Sequence, residues 1–216
     1  MVELKRIMKT FAFIDASNLF YGGEKSLGWK IDYQKLLKYL TEKYGVEKAF
    51  YFGGVEIHGF KHNYLDDNSV PIEKVEKHLV DLIKNKVDKF NEAQLALISR
   101  HLQRVRFYLK LKEFGYILFL KPIKLYEEGD GTPKRKANCD VDMTFYLMKE
   151  KDNFDKVIIL SGDGDFLPGL KYLKKIGKEI IILARQKRTA KEIRQFAGGN
   201  FRDFVRLEKM IKFEEK

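Results

Sequence analysis

The stretch VIILSGDGDF, residues 157–166, decides the fold class that this chain predicts. It is an apolar run followed by two aspartates that one glycine separates, and then by the start of a helical pattern. Near the N-terminus, FAFIDASN at residues 11–18 repeats this arrangement, with Asp15 directly after apolar residues. Such runs are typical of strands buried on both faces of a parallel sheet, whose ligands bind at the carboxyl ends of the strands. We therefore expect Asp15, Asp163 and Asp165 to lie along one edge of a sheet.

Strand-like runs alternate with helical patterns along most of the chain. Apolar and aromatic runs predict strands at residues 10–15, 47–55, 116–121, 156–161 and 179–184. Helical periodicity predicts helices at residues 32–43, 72–84, 91–114, 140–151 and 165–176. This alternation predicts an α/β fold with a parallel sheet and helices on both of its faces.

Two segments interrupt the alternation. Residues 58–90 are polar and lysine-rich, and they predict a helical insertion after the second strand. Residues 127–138, EEGDGTPKRKAN, contain several turn-forming residues and a basic triplet, and they predict a mobile loop. The length of the chain favours one domain over residues 1–216, with the insertion at 58–90 as its embellishment.

The composition favours a polyanionic partner. Lys and Arg total 42 against 31 Asp and Glu, which gives a formal net charge of +11 at pH 7. Nucleic acid is the partner that this charge indicates, and a lysine-rich surface tuned for solubility or heat is the alternative. The single cysteine excludes an internal disulfide. No apolar stretch is long enough to predict a membrane span, and the first ten residues lack a signal-peptide core, so we expect a cytoplasmic protein without a membrane partner.

The polar residues at the strand ends each have more than one interpretation. Asp15 can cap the turn that follows its strand, or it can bind a metal. Asp165 precedes a proline that suits the first turn of a helix, so a capping role competes with metal contact. For Asp163 the sequence suggests no capping role. Asn18 can cap a helix or hold a carboxylate or phosphate oxygen, and Ser161 can bond a phosphate or orient a carboxylate.

A third acidic position opens the helix predicted at 140–151. The segment NCDVDM contains Asp140 and Asp142, which helical phasing separates. Phasing assigns Asp140 to the border of the inward face and Asp142 to the far side; the inward face is predicted to consist of Val141, Thr144, Phe145 and Met148. Close carboxylates repel each other unless a cation compensates. Mg²⁺ or Mn²⁺ suits such oxygen ligands, and we expect the metal ligands to be Asp15, Asp140 and Asp163.

Basic residues lie near the predicted acidic edge in the sequence. Three precede the acidic helix and five follow the strand that ends at Ala184: Lys134, Arg135, Lys136, Arg185, Lys187, Arg188, Lys191 and Arg194. Because the carboxyl ends of parallel strands share one edge, these side chains are candidates for binding the phosphates of a nucleic acid. A solvated cationic face is the alternative.

These motifs together resemble the NYN domain family of the PIN-like nuclease superfamily. The resemblance covers roughly residues 10–57 and 91–210, and it depends on the segments FIDASN, KANCDVDM, SGDGDFLPGL, GKEIIILA and TAKEIRQFAGGNFRDFVRLEKM. It implies a Rossmann-like three-layer α/β/α sandwich with a central, mostly parallel sheet. It also implies an acidic ribonuclease site that depends on Mg²⁺ or Mn²⁺.

The resemblance assigns roles to particular residues. The family's first aspartate matches Asp15, its asparagine matches Asn18, and its helix-opening aspartate matches Asp140. The two acids of its SGD-x-DF motif match Asp163 and Asp165. Many members carry a further aspartate about six residues beyond the helix-opening one, where this chain has Tyr146.

The sequence therefore predicts a metal-dependent ribonuclease, and among ribonucleases an endoribonuclease, that hydrolyses RNA phosphodiesters. Its predicted catalytic residues are Asp15, Asp140, Asp163 and Asp165, and Asn18 and Ser161 are predicted to position phosphate oxygens. The main alternative is a non-catalytic RNA-binding or regulatory module that keeps the acidic pocket. A haloacid-dehalogenase-type phosphatase ranks third, because that chemistry needs an aspartate where this chain has Ser17. DNA is not excluded as the substrate, and a homodimer stays open.

Overall fold

The computed structural model describes residues 8–20, 25–63, 65, 67–85, 90–127 and 133–214. It divides into two compact units, one of Met1–Tyr51 with Asp140–Lys216 and the other of Phe52–Cys139. The strands are β1 (Thr10–Asp15), β2 (Val46–Val55), β3 (Tyr116–Pro122), β4 (Lys124–Glu127), β5 (Pro133–Lys136), β6 (Lys156–Leu160), β7 (Glu179–Ala184) and β8 (Phe201–Asp203). The helices are α1 (Lys25–Leu27), α2 (Tyr33–Tyr44), α3 (Ile72–Asn85), α4 (Glu92–Phe114), α5 (Asp140–Lys149), α6 (Leu167–Lys175), α7 (Lys191–Ala197) and α8 (Glu208–Ile211).

Six of these strands form a central parallel sheet with flanking helices, in the order β3-β2-β1-β6-β7-β8. Strand β6 pairs in parallel with β1 on one side and with β7 on the other, and β7 pairs in parallel with β8. All six residues of β1 are buried, as expected for a strand covered on both faces. The α/β fold class predicted from the alternation is confirmed, and so are the five predicted strands, to within a residue or two at their ends.

The register of the sheet determines which strand ends meet. Ile14 of β1 is paired with Leu160 of β6, so Asp15 and Ser161 end their strands at the same level. On the far side of β6, Ile159 is paired with Ile182 of β7, which ends two residues later at Ala184. The segments that follow β1, β6 and β7 therefore leave the sheet at one edge.

Local signals explain where the helices of the first unit begin and end. The side chain of Asp32 accepts a hydrogen bond from the backbone N–H of Lys35 at 2.9 Å, so Asp32 is the N-cap of α2, as predicted. Gly45 ends this helix with a φ of 67°, a left-handed conformation that glycine adopts without strain. Aromatic packing forms part of the core beneath, where the rings of Phe13 and Phe50 have centroids 4.8 Å apart.

The second unit consists mainly of the helices α3 and α4, which confirm the helices predicted at 72–84 and 91–114. Asn91 and Gln94 form a reciprocal capping box at the start of α4. The buried Tyr108 of α4 donates a hydrogen bond of 2.7 Å to the carbonyl oxygen of Gly54. Whether residues 58–90 are an insertion within one domain of 216 residues stays a prediction.

The prediction of a mobile loop at residues 127–138 is wrong for residues 133–136, which form a strand. Strand β5 (Pro133–Lys136) pairs with β4 as an antiparallel hairpin, in which Lys124 lies opposite Lys136 and Glu127 opposite Pro133. Backbone pairing between two polar segments satisfies their N–H and C=O groups, and composition alone does not reveal it. Residues 128–132 lie outside the described residues. Of the helices that are described, none combines the length and the apolar character needed to cross a bilayer.

Candidate functional site

Asp15 is a buried carboxylate at the carboxyl end of β1. Its side chain is only 6% exposed, and its Oδ1 accepts hydrogen bonds from the backbone N–H groups of Ser17 at 2.9 Å and Asn18 at 3.1 Å. Burial raises the pKa of Asp15 to about 6; these hydrogen bonds lower it, and the nearby charge of Asp140 raises it further. Asp15 therefore caps the turn after its strand, which is one of the roles considered from the sequence. It also lies at the predicted edge of the sheet.

Ser161 connects the ends of β1 and β6. Its hydroxyl is buried, donates to Oδ2 of Asp15 at 3.2 Å and accepts from the backbone N–H of Asp163 at 3.2 Å. Of the two interpretations open from the sequence, these contacts favour the orientation of a carboxylate. A single side chain thereby holds the Asp15 carboxylate and the loop that carries Asp163 in fixed relation.

Asp163 is half-buried and begins the turn that leads into α6. Its Oδ1 accepts from the backbone N–H of Asp165 at 3.0 Å, so Asp163 is the cap of a 3₁₀ turn over Gly164–Phe166. Capping was one of two interpretations open for Asp165, and none was suggested for Asp163; the absence of a capping role for Asp163 is therefore wrong. The reason is that this extra turn precedes the helix and moves the cap two residues toward the N-terminus. Asp165 itself is exposed.

Asp140 opens α5, which packs beside β1, and its negative charge contributes to the raised pKa of Asp15. The phasing predicted for this helix is wrong, because Met143 and Leu147 are its buried residues. Val141 and Phe145, which were expected to face inward, are 64% and 56% exposed. Asp140 still precedes Met143 by one turn, so it borders the true inward face.

The structure brings the predicted metal ligands together only in part. Among the described residues, no group of three His, Cys, Asp or Glu side chains stands close enough to hold a metal ion. The charge of Asp140 acts on Asp15, whereas the side chain of Asp163 bonds within its own turn. Two carboxylates, one of them destabilised as an anion by burial, nevertheless match a hard cation such as Mg²⁺. That ion keeps several waters and binds proteins through one or two carboxylates plus substrate phosphates.

A segment after β7 packs on the acidic loop, and sequence reasoning missed it. The backbone N–H of Ala190 donates to the carbonyl oxygen of Gly162 at 2.9 Å. A Cβ added at Gly164 would lie 2.6 Å from Oε1 of Glu192, so this carboxylate lies against the loop that carries Asp163. Glu192 is thus a further acid beside the site. The sequence offers no local signal for this contact, because Gly164 and Glu192 are almost thirty positions apart. Their proximity follows from the pairing of β6 with β7.

The predicted phosphate-binding residues fall into three groups. Arg185 pairs with Asp203 at 3.1 Å, and both side chains are nearly buried, at 14% and 12% exposure. The four basic residues after it, on the same side of β7, are exposed: Lys187, Arg188, Lys191 and Arg194. Lys134, Arg135 and Lys136 lie in β5, and their side chains are outside the description. Asn18 is half-buried, and its backbone N–H donates a hydrogen bond to Oδ1 of Asp15.

Known structures and sequences resemble this chain over most of its length. A crystal structure of VPA0982, a protein of unknown function from Vibrio parahaemolyticus RIMD 2210633, has a TM-score of 0.58 and 17% identity, and the match covers 95% of this chain and 97% of that one. T5 5'-exonuclease with zinc ions bound has a TM-score of 0.43 and 14% identity, over 87% of this chain and 60% of that chain.

Among curated proteins, the chain is similar to the low amplitude and bright protein LabA of Synechococcus elongatus (strain ATCC 33912 / PCC 7942 / FACHB-805). The two are 22% identical over 208 residues, which is 94% of this chain and 88% of LabA. The family model of the NYN domain matches residues 90–204, more than half of the chain. The resemblance drawn from the sequence motifs is therefore confirmed, and this chain belongs to the NYN domain family.

Proposed function

We propose that this protein is a metal-dependent nuclease that hydrolyses phosphodiester bonds of RNA as an endoribonuclease. The observation that carries the proposal is the buried carboxylate of Asp15 at the edge where β1 and β6 end, beside α5, which Asp140 opens. Membership of the NYN domain family supports a nuclease-type function. The net charge of +11 and the exposed basic residues after β7 support a polyanionic substrate.

In this proposal Asp15 and Asp140 hold one Mg²⁺ or Mn²⁺ ion directly. Ser161 and the turn after β1 restrain the Asp15 carboxylate through three hydrogen bonds, so its oxygens are oriented before an ion arrives. A bound divalent ion lowers the pKa of a coordinated water and offsets the charge of the phosphate. The ion also explains why a buried carboxylate with a raised pKa would serve as an anion at neutral pH.

Asp163 is the third metal residue of the proposal, and Asp165 supports the site. Asp163, whose carboxylate caps its own turn, would help to hold a hydrated ion. Asn18 and Ser161 are proposed to position phosphate oxygens, Ser161 mainly by fixing Asp15. The basic residues proposed to bind the nucleic-acid backbone remain those of the sequence analysis, and Arg185 among them is nearly buried.

A pair of matched variants tests the metal role. Asp140→Asn and Asp142→Asn each remove one acid from the first turn of α5, so they affect the helix dipole alike. We expect Asp140→Asn to lower the rate of cleavage of a labelled single-stranded RNA in Mn²⁺ by at least about 100-fold. Mutating even a residue that only hydrogen-bonds a metal ligand lowers metal affinity or activity by about 10- to 100-fold. Asp142→Asn should cleave the RNA as fast as the unmodified protein. The cleavage rate of Asp163→Asn should be lowered as that of Asp140→Asn is. Equal activity of the two α5 variants would reject the role of Asp140.

The second candidate function is a non-catalytic RNA-binding or regulatory module. It is favoured by the finding that no three potential ligands are grouped among the described residues. This module would bind RNA with the same affinity in EDTA and in Mg²⁺, and no divalent ion would produce cleavage products. Binding that strengthens with Mn²⁺ in the Asp163→Asn background would instead favour the nuclease.

A further inference from the structure

A basic cavity of about 570 Å³ lies in the first unit, outside the acidic site. Its walls come from α2, α7, β8 and the turns that follow β7 and β8. Four cationic side chains line it: Lys43, Arg194, Arg202 and Arg206. In the part of the chain that the structure describes, Asp203 is the only acid in the lining.

The charge of Asp203 is already compensated. Both of its carboxylate oxygens accept from Nη1 of Arg185, at 3.1 and 3.3 Å, and Oδ1 also accepts from the backbone N–H of Val205. Arg185 lies outside the lining of the cavity. The four cations of the cavity therefore have no acidic partner within it, among the residues described.

Two of these cations, Lys43 and Arg202, act on the same neighbour, Tyr44. Burial raises the pKa of Tyr44 to about 12, and the charges of Lys43 and Arg202 both act to lower it. Lys43 and Arg202 come from opposite ends of the sequence, so the fold gathers them. Like charges that a fold gathers without counter-charges repel one another, and a bound anion relieves this repulsion. A ligand with several negative charges fits best.

The cavity also has the size and the surfaces for a nucleotide. Its volume lies within the range of small-molecule sites. The half-buried ring of Phe201 lines it beside the cations, and Lys43 Nζ stands 5.4 Å from the ring centroid of the buried Tyr39. Cationic grooves with aromatic rings are the usual surface for single-stranded nucleic acid.

Helix α7 connects this cavity with the acidic loop. At its start, the backbone N–H of Ala190 bonds the carbonyl oxygen of Gly162, one residue before Asp163. Arg194 follows Ala190 by four residues, which is about 6 Å along a helix axis. The wall of the cavity thus begins about one helical turn from the loop that carries Asp163 and Asp165. One strand of a few nucleotides can reach both places.

We propose that the basic cavity binds phosphates of the nucleic-acid strand that flank the bond presented to the acids. The proposal rests on the proposed function for the identity of that strand as RNA. It adds Lys43, Arg202 and Arg206 to the nucleic-acid contacts, and it gives Arg194 a defined position among them. It also predicts that binding through the cavity needs no metal, because the cavity contains no metal ligands of the acidic site.

The test compares two double variants that remove the same charge. Lys43→Ala with Arg206→Ala removes two exposed cations of the cavity, and Lys171→Ala with Lys175→Ala removes two exposed cations from α6. The affinity of each protein for a fluorescent single-stranded RNA is measured by anisotropy in EDTA over a range of salt concentrations. Each phosphate contact contributes about 0.7 to the slope of log K against log salt. The cavity variant should lower that slope by about 1.4, and the α6 variant should leave it unchanged.

Several outcomes separate this inference from the proposed function. If circular dichroism shows both double variants to be folded and their slopes are equal, the proposal that the cavity binds phosphates is overturned. If the unmodified protein never cleaves RNA but the cavity variant still loses slope, the nuclease proposal fails and the cavity stands. A third arm titrates a nucleoside monophosphate. Saturable binding of that nucleotide, lost in the cavity variant while the RNA slope is unchanged, would assign the cavity to a small ligand and overturn the inference.

Discussion

Replacing Asp15 by asparagine should stabilise the protein at neutral pH. In the folded chain, burial raises the pKa of Asp15 from 3.8 to about 6, whereas the unfolded chain titrates near the ordinary value. The folded state therefore holds the proton more tightly, so the free energy of unfolding falls as the pH rises from about 4 to about 6. Above that window the full cost of ionisation is present, and it amounts to about 3 kcal/mol.

The Asp15→Asn side chain cannot ionise, so it avoids this cost. Its amide oxygen can still accept from the backbone N–H groups of Ser17 and Asn18. The expected difference in unfolding free energy between variant and parent is close to zero at pH 4 and grows to as much as about 3 kcal/mol above pH 7. Urea titrations in EDTA at several pH values measure it. Asp142→Asn, which changes the net charge equally, is the control for general charge effects.

The same variant should respond less to divalent ions. An ion that binds only the folded state stabilises it by about 2.7 kcal/mol at a concentration 100 times its Kd. We expect Mn²⁺ to stabilise the parent protein and to have a much smaller effect on Asp15→Asn, which lacks one anionic ligand. A stability difference that does not change with pH, or a variant less stable than its parent above pH 7, would refute the reasoning about Asp15.

Two further substitutions test the packing around the site. Asp203→Ala should cost about 3–5 kcal/mol in urea unfolding, because it leaves the charge of Arg185 nearly buried and unpaired; replacing both partners by Met and Leu should cost less, and an equal or greater cost would contradict this. Gly162→Ala should cost about 1–3 kcal/mol, since its Cβ would lie 2.6 Å from Oγ1 and 2.9 Å from Cα of Thr189. Gly199→Ala, with nothing within 4 Å, is the control that should unfold like the parent.

The strands and the acids at their ends could be predicted from the sequence because the signal is local. A buried strand needs an unbroken apolar run, and the first polar residue after it marks the edge of the sheet. The positions of Asp15 and Ser161 follow from this pattern alone, and the register confirms that they end their strands at one level. The N-cap role of Asp32 was equally local, since its side chain bonds a backbone N–H only three residues further along the chain.

The orientation of α5 could not be predicted because its sequence offers two apolar stripes. Val141 and Phe145 form one stripe, and Met143 and Leu147 form the other, so periodicity alone does not distinguish them. Packing within the first unit buries Met143 and Leu147 and leaves Val141 and Phe145 exposed. The cap formed by Asp163 was missed for a related reason, since a single 3₁₀ turn leaves no periodic signal.

The basic cavity depends on contacts that no local pattern contains. Lys43 lies in the last turn of α2, whereas Arg202 and Arg206 follow β7 by some twenty residues, and only the folded chain brings them to one place. The sequence indicated Arg194 as a basic residue near the sheet edge, without its partners. Glu192 was missed in the same way, because its carboxylate meets Gly164 through the packing of α7 on the acidic loop.

Strand β8 affects how this protein behaves when it is concentrated. It is the last strand of the sheet and has only three residues, with Arg202 in the middle. An outer strand so short, with a charged side chain at its centre, offers few free backbone groups to a neighbouring molecule. Fibrous aggregation by strand addition is therefore disfavoured on this side of the sheet. At crystallisation concentrations, β8 should not start cross-β assemblies.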